Sequence, residues 1–289
     1  MKVTNKLILG TVQFGLNYGI NNTKGKPEKD TVFEILSYAY ENGIRNLDTA
    51  ELYGNAHDLI GEFHKLNPIK KFKIITKFPH HFDESLDNKI NTYLNQLNID
   101  KLNAIFFHSF DSYLKNKEQL ENIIRLKNKV VKLIGVSVYT NKEMNEVIDD
   151  INIDIIQIPF NLFDNLNLRG ELLKKAKKKN KIIHTRSAFL QGLFFMKKDN
   201  PCIIRSKLKK EMEFVTDISL KSSMPVGSIA LNYCLMQSNI DGVLIGVETL
   251  QQLKENIAIS GIKIPSQYVD QINTIRINNL ELLNPTSWK

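Results

Sequence analysis

The chain has 289 residues, of which 42% are hydrophobic and 24% charged, and it carries a formal net charge of +8. That hydrophobic fraction supplies a full core and excludes a disordered chain, and the length suits one large α/β domain. The lysines are spread along the sequence, which argues against a nucleic-acid-binding arm.

Short apolar, β-branched runs alternate with segments of helical periodicity. In chain order, Leu7–Gly10 reads as a strand and Glu28–Asn42 as a helix. Ile44–Leu47 precedes a helix over Ala56–Leu66, and Lys73–Thr76 precedes Leu86–Leu97. Leu102–Phe107 leads to a helix over Lys117–Lys127, and Leu133–Val136 to one over Lys142–Asp149. Ile155–Ile158 is followed by Leu168–Lys179. Ile182–Thr185 precedes a long segment, Gly192–Met224, that ends in a helix over Val226–Met236. Gly242–Ile245 is followed by Leu250–Ser260. A further helix is expected over Ser266–Leu283, ended by Pro285. The densest basic run, Lys174 to Lys181, falls at a helix end, where cations complement the helix dipole.

Apolar strands separated by helices imply a parallel sheet buried on both faces. Eight such units in this length predict a single α/β domain over residues 1–289, a (β/α)8 TIM barrel. It carries an additional C-terminal helix and a long loop after strand seven. An open dinucleotide-binding sheet would need GxGxxG after its first strand; the sequence there is Leu9-Gly10-Thr11-Val12-Gln13-Phe14-Gly15.

No run of ~18 apolar residues exists to span a membrane. The N-terminus has no secretory h-region or cleavage site. The two cysteines, Cys202 and Cys234, form no disulfide framework or metal motif. A cytoplasmic protein with no nucleic-acid or membrane partner is expected. The adjacent His80 and His81 make a poor metal pair, His57 and His64 sit in a helical segment away from the strand ends, and no metal site is inferred.

In a barrel of this kind the chemistry sits at the C-terminal ends of the strands. Strand two runs into Asp48-Thr49-Ala50-Glu51-Leu52-Tyr53-Gly54, strand three into Lys77 and strand four into His108. Each has an ordinary structural reading. Asp48 can cap a turn, Tyr53 can be a half-buried aromatic, and His108 can be a satisfied core residue. Lys77 at a buried strand end needs a counter-charge. Together they offer an acid, a phenol, an ammonium and an imidazole at one mouth. Lys77 is expected to lower the Tyr53 pKa, with Asp48 pairing Lys77. Tyr53 then serves as general acid and His108 steadies a carbonyl oxygen. That set suits protonating an oxyanion while a cofactor delivers a hydride.

These blocks, Asn46–Gly54, Ile74–Phe78 and Phe106–Ser109, resemble the catalytic blocks of the aldo-keto reductase family. So do Ile134–Ser137, Ile156–Asn161, Arg186–Gly192 and Leu244–Asn256, so the resemblance covers Leu7 to about Ile259. It implies NADP(H), with NAD(H) as the alternative, bound without a Rossmann domain. By the same resemblance, Asp48, Lys77, Ser137 and Gln157 hold the nicotinamide end. Arg186, Ser187 and Phe189 lie along the cofactor. Gly246, Val247, Glu248 and Thr249 cradle the adenosine-side phosphate, with Gln252 and Asn256 at the adenosine.

The chain departs from the family pattern in places. Val138 stands where relatives often carry Asn, and Arg186 where many stack an aromatic ring. Gly246 and Gln252 replace basic residues that grip a 2′-phosphate, and Glu248 adds an acid there. The function expected is reduction of a small-molecule aldehyde or ketone, a sugar or sugar derivative among them, to an alcohol. The alternatives are a regulatory cofactor-binding barrel and a non-redox sugar-processing barrel. The substrate pocket is expected from the loops after strands one, four and seven and the C-terminal tail. Phe14, Tyr18, Tyr139, Phe160, Phe194 and Trp288 are its candidate walls.

Overall fold

Eight parallel strands follow one another in sequence order and close on themselves: β1 (Leu7–Gly10), β2 (Asn46–Asp48), β3 (Lys73–Lys77), β4 (Leu102–Phe107), β5 (Val131–Ser137), β6 (Ile155–Pro159), β7 (Ile182–Arg186) and β8 (Gly242–Gly246). The structure, a computed structural model, describes residues 3–81, 84–197 and 201–288. Met1, Lys2 and residues 198–200, which the sequence reading assigned to the N-terminus and the long segment, lie outside the described residues, as does Lys289. The closing contact pairs Gly10 of β1 with Gly246 of β8.

Eight helices pack around the outside, seven of them linking consecutive strands: α1 (Lys29–Glu41), α2 (Ala56–Leu66), α3 (Leu86–Leu97), α4 (Leu120–Leu126), α5 (Asn141–Asp149), α6 (Leu166–Lys178) and α7 (Val226–Leu235), with α8 (Leu250–Ile259) after β8. Strand side chains alternate between two cores, because successive Cβ atoms point to opposite faces. Ile8, Ile75, Ala104, Phe106 and Ile155 fill the barrel interior. Leu9, Leu47, Ile74, Ile105 and Ile156 face outward and pack with helix residues such as Ile35, Phe63 and Leu173. Burying each such side chain stabilises the fold by roughly 1.5–3 kcal/mol.

Three expected elements differ. The helix over Lys117–Lys127 begins as a 3-10 turn at Lys117–Gln119 before α4, and a separate helix precedes it at Phe110–Lys115. Ser109 starts that earlier helix, its Oγ accepting the Ser112 N–H at 3.1 Å. Asn116 ends it by donating to the Ser112 carbonyl at 2.7 Å. The C-terminal helix stops at Thr274, well before Pro285. There the Asn165 side-chain amide donates to the carbonyls of Ile272 and Ile275, at 2.9 and 3.2 Å, and satisfies the helix end. The long segment after β7 is largely helical, with Ile203–Lys207 and Lys209–Ser222. Leu208, Met212, Val215 and Ile218 recur at helical spacing and are buried.

The lysine run of α6 is tied to carboxylates: Lys174 to Glu171 at 2.8 Å, Lys175 to Asp149 at 2.7 Å and Lys177 to Asp241 at 2.8 Å. Among the described residues no helix is long and apolar enough to cross a membrane.

Two buried histidines hold the frame and set an acid limit on it. His57 of α2 shares a 2.8 Å hydrogen bond with the Thr76 hydroxyl of β3, and His184 lies inside the barrel on β7. Burial lowers both pKa values from 6.5 to about 4. Between those values the unfolded chain binds more protons than the folded one, so stability rises with pH across that window. Their contribution is complete above about pH 6.5 and is lost as pH falls toward 4, at roughly 3 kcal/mol per histidine. Urea midpoints should therefore drop over this window, and less so in His57→Gln. A flat profile between these pH values would rule the histidines out as the cause.

Candidate active site

The alternation that fills the barrel also builds its mouth. Counting by twos from the interior residue Ile75 places Lys77 inward at the end of β3. From Phe106, the same step reaches His108 after β4. Ile155 leads to Gln157 on β6, and His184 to Arg186 on β7. With Asp48, Ser137 and Gly246, these residues line one cavity of about 820 Å³ at the C-terminal ends of the strands. Tyr53 joins them from the loop after β2. Close packing of two loops holds that segment. A Cβ at Gly15 would lie 1.7 Å from the Tyr53 carbonyl oxygen, so only glycine permits the loop after β1 to pass there.

Asp48 and Lys77 are each 2% exposed and form an ion pair through Asp48 Oδ1. Lys77 Nζ also donates to the Thr49 carbonyl at 3.0 Å. Asp48 Oδ2 accepts the Gln157 amide at 2.8 Å. Both charges are thus compensated, as burial demands. Burial nevertheless lowers the Lys77 pKa, opposed by the Asp48 charge. Lys77 Nζ lies 5.3 Å from the centre of the Tyr53 ring, and the His108 ring meets Tyr53 edge-on at 6.0 Å.

Here the expected electrostatics reverse. Burial, followed by the Asp48 carboxylate, raises the Tyr53 pKa well above 10. Lys77 is paired with Asp48, so its charge does not outweigh burial at the phenol. Tyr53 is therefore held as a protonated phenol. His108 is held neutral: burial, then the charges of Lys77, His80 and Arg186, push its pKa down to about 3.

The loop after β7 is conformationally strained. Ser187, Leu190 and Gln191 have φ values of 64°, 48° and 53°. Among the described residues the other non-glycine positions with positive φ are Asn98, Asn128, Asn180 and Ser223, and Asn98 and Ser223 are ordinary helix C-caps. Ser187 and Gln191 line the cavity and Leu190 is buried in the core behind it, so the strained loop has a shape imposed by its surroundings.

Most of the family-implied cofactor positions converge on the cavity. Asp48, Ser137, Gln157, Arg186, Ser187, Phe189, Gly246, Glu248, Gln252 and Asn256 line it; Val247 and Thr249 do not. Val247 is fully buried in the outer core. Thr249 is the N-cap of α8, in a capping box with Gln252. Gln252 Oε1 accepts the N–H groups of Glu248 at 2.7 Å and Thr249 at 3.3 Å, and its amide donates to Glu248 Oε2 at 2.6 Å. The expected phosphate cradle is thus occupied by the chain's own side chain.

Of the candidate walls, Tyr18, Tyr139 and Phe194 line the cavity. Phe14 is buried in the core. Phe160 stacks on Tyr233 at 5.5 Å in the same core. Trp288 packs against that core, its indole N–H donating to the Leu282 carbonyl at 3.2 Å. Among the described residues none of the C-terminal tail lines the cavity.

Two lining residues carried no signal in the sequence reading. Glu255 lies one turn after Gln251 on α8. Gln13 is 8% exposed and its Oε1 has no hydrogen-bond partner in this structure. Its amide packs on Gly246, where a Cβ would sit 2.4 Å from Gln13 Nε2. An orphaned acceptor in a polar cavity calls for a donor on a ligand. Only the closure of β1 against β8 brings these two residues together.

Known proteins share this architecture. Residues 6–277 match the Aldo/keto reductase family. The Uncharacterized oxidoreductase YqkF of Bacillus subtilis (strain 168) is 25% identical over 260 residues, covering 80% of this chain and 82% of that protein. The aldo-keto reductase AKR11C1 from Bacillus halodurans superposes with a TM-score of 0.78 at 18% identity, over 95% of this chain and 93% of that one. The glycerol dehydrogenase AKR11B4 from Gluconobacter oxydans gives 0.71 at 19% identity, with the same coverage. The family match spans nearly the whole barrel, every strand included: this chain belongs to the aldo/keto reductase family.

Proposed function

We propose that this protein is a nicotinamide-dependent oxidoreductase that reduces an aldehyde or ketone to an alcohol, with Tyr53 as general acid. One observation carries the reading: a protonated phenol, a buried Lys77–Asp48 pair and a neutral imidazole share the wall of one cavity. The cavity fits a dinucleotide, because Gln13 offers a buried acceptor without a partner and Gly246 leaves it room. Ser137 and Gln157 would hold the nicotinamide carboxamide, and Ser187 and Phe189 would flank the phosphates. When bound, the nicotinamide supplies the hydride.

The side chains do the rest. Neutral His108 donates a hydrogen bond to the carbonyl oxygen and fixes its position. Tyr53 gives its proton to that oxygen as negative charge develops there. The phenolate left behind is stabilised by the Lys77 ammonium, 5.3 Å from its ring. Asp48 keeps Lys77 charged and oriented. One structural relative is a glycerol dehydrogenase, and a sugar or polyol derivative falls within the proposed substrate class. The regulatory and non-redox readings lose ground to family membership.

The cofactor reading turns on α8. Glu248 and Glu255 line the cavity there, and among the described residues its cationic lining consists of Lys77 and Arg186, both at the strand ends. A ribose diol can donate to a carboxylate, whereas a 2′-phosphate is repelled by it. This favours NAD(H) over the NADP(H) that the family resemblance suggests. Titration of reduced-nicotinamide fluorescence should give an NADH affinity at least about tenfold above that for NADPH, a difference of roughly 1.4 kcal/mol. Tighter binding of NADPH would reverse the assignment.

A further inference from the structure

Arg186 ends β7 at the cavity wall, half-buried. Its guanidinium lies over the Tyr139 ring at 3.9 Å. Nη2 donates to the Val138 carbonyl at 3.3 Å. A guanidinium carries five N–H donors in a planar fork, so this contact leaves most of them unused. Among the described residues it has no ion-pair partner. The nearby carboxylates are engaged elsewhere: Asp48 with Lys77 and Gln157, and Asp164 with Arg169 at 2.5 Å. A partly desolvated cation held over an aromatic ring without a counter-ion is poised for one. The strained backbone at Ser187 fixes its place.

We infer that Arg186 is a specificity-determining residue that receives a carboxylate or phosphate carried by the carbonyl substrate itself. The inference rests on the proposed reductase reading. A planar fork matches both anions, since each presents paired oxygens. The dinucleotide's pyrophosphate is the other possible source of such oxygens. It is separated from the nicotinamide ring by a ribose, whereas Arg186 shares one cavity wall with Tyr53, His108 and Lys77 at the strand ends. An anion at Arg186 therefore sits beside the reacting carbonyl. Tyr18 and Tyr139, from the loops after β1 and β5, line the same cavity.

The test compares matched substrates, so an overall change in turnover cancels. Succinic semialdehyde is assayed against its methyl ester, and a phosphorylated triose against glyceraldehyde. The wild type should favour an anionic member in kcat/KM by about tenfold or more, the scale of one charge-assisted contact. Arg186→Met should bring that ratio close to one, and Arg186→Lys should leave an intermediate ratio. Equal use of both members by the wild type, or a ratio unchanged in Arg186→Met, overturns the inference. NADH fluorescence titration of the same variants distinguishes the sources. A large loss of NADH affinity with the substrate ratio intact assigns Arg186 to the pyrophosphate and also overturns it. If the wild type reduces none of these carbonyls, the reductase reading fails separately. Calorimetric titration of hydroxybutyrate against its methyl ester then still reads the anion site: selective binding lost in Arg186→Met supports it, and no selectivity in the wild type sinks it.

Discussion

Replacing Tyr53 with phenylalanine should lower kcat for carbonyl reduction by about 10²–10⁴-fold, the range of a positioned general acid. The change removes one hydroxyl from a ring that the fold already holds against Lys77 and His108. Dinucleotide affinity and thermal midpoint should therefore change little. The pH profile adds a second check. Burial and the Asp48 charge hold the phenol protonated well above its ordinary pKa of 10. The wild-type reduction rate should then show no alkaline limb from Tyr53 below about pH 10. Steady-state kinetics of wild type and variant across neutral to alkaline pH measure both effects. Full activity in Tyr53→Phe would remove it as proton donor.

Lys77→Met should cost about 3–5 kcal/mol of stability as well as most of the activity. Lys77 and Asp48 are each 2% exposed, so deleting the ammonium leaves a carboxylate buried without its counter-charge. The Gln157 amide remains as a donor at 2.8 Å, which a neutral dipole cannot make equivalent to an ammonium. Asp48→Asn alone should also destabilise, because it strands the Lys77 charge. The double variant Asp48→Asn/Lys77→Met should recover much of the loss, since no buried charge is left unpaired. Urea denaturation of the four proteins gives the cycle. Additive losses would show that the two charges are not coupled, and a Lys77→Met loss near that of an exposed ion pair, under about 1 kcal/mol, would show that the site admits water.

The strand ends were readable in the sequence because a parallel barrel repeats one local pattern. An apolar β-branched run stops, and the next inward residue is polar. Asp48, Lys77, His108 and Gln157 all follow that rule, and their placement needs only the two-residue period of a strand. The long connection after β7 was less readable. Its helical spacing, Leu208 to Ile218, is genuine, but it lies well downstream of β7, with no strand leading directly into it to fix its place. The end of the C-terminal helix was misplaced for a different reason. The Asn165 amide that takes its last carbonyls comes from a position 107 residues away from Ile272.

By itself the sequence determined the strand–helix alternation, the closed barrel it produces, and which polar side chains stand at the strand ends. Those follow from local periodicity and hydrophobic pattern. The tertiary structure alone decided what surrounds each of them. Asp48 meets Gln157 across 109 residues, and the loop after β1 passes Tyr53 only because Gly15 lacks a Cβ. Gln13 comes to rest on Gly246, and the Gln252 side chain turns back to accept the N–H of Thr249 at the start of its own helix. Charge and proton affinity depend on such neighbours and on the depth of burial. That is why the sequence could name Tyr53 and Arg186, while only the folded barrel makes one a protonated phenol and leaves the other without a counter-ion.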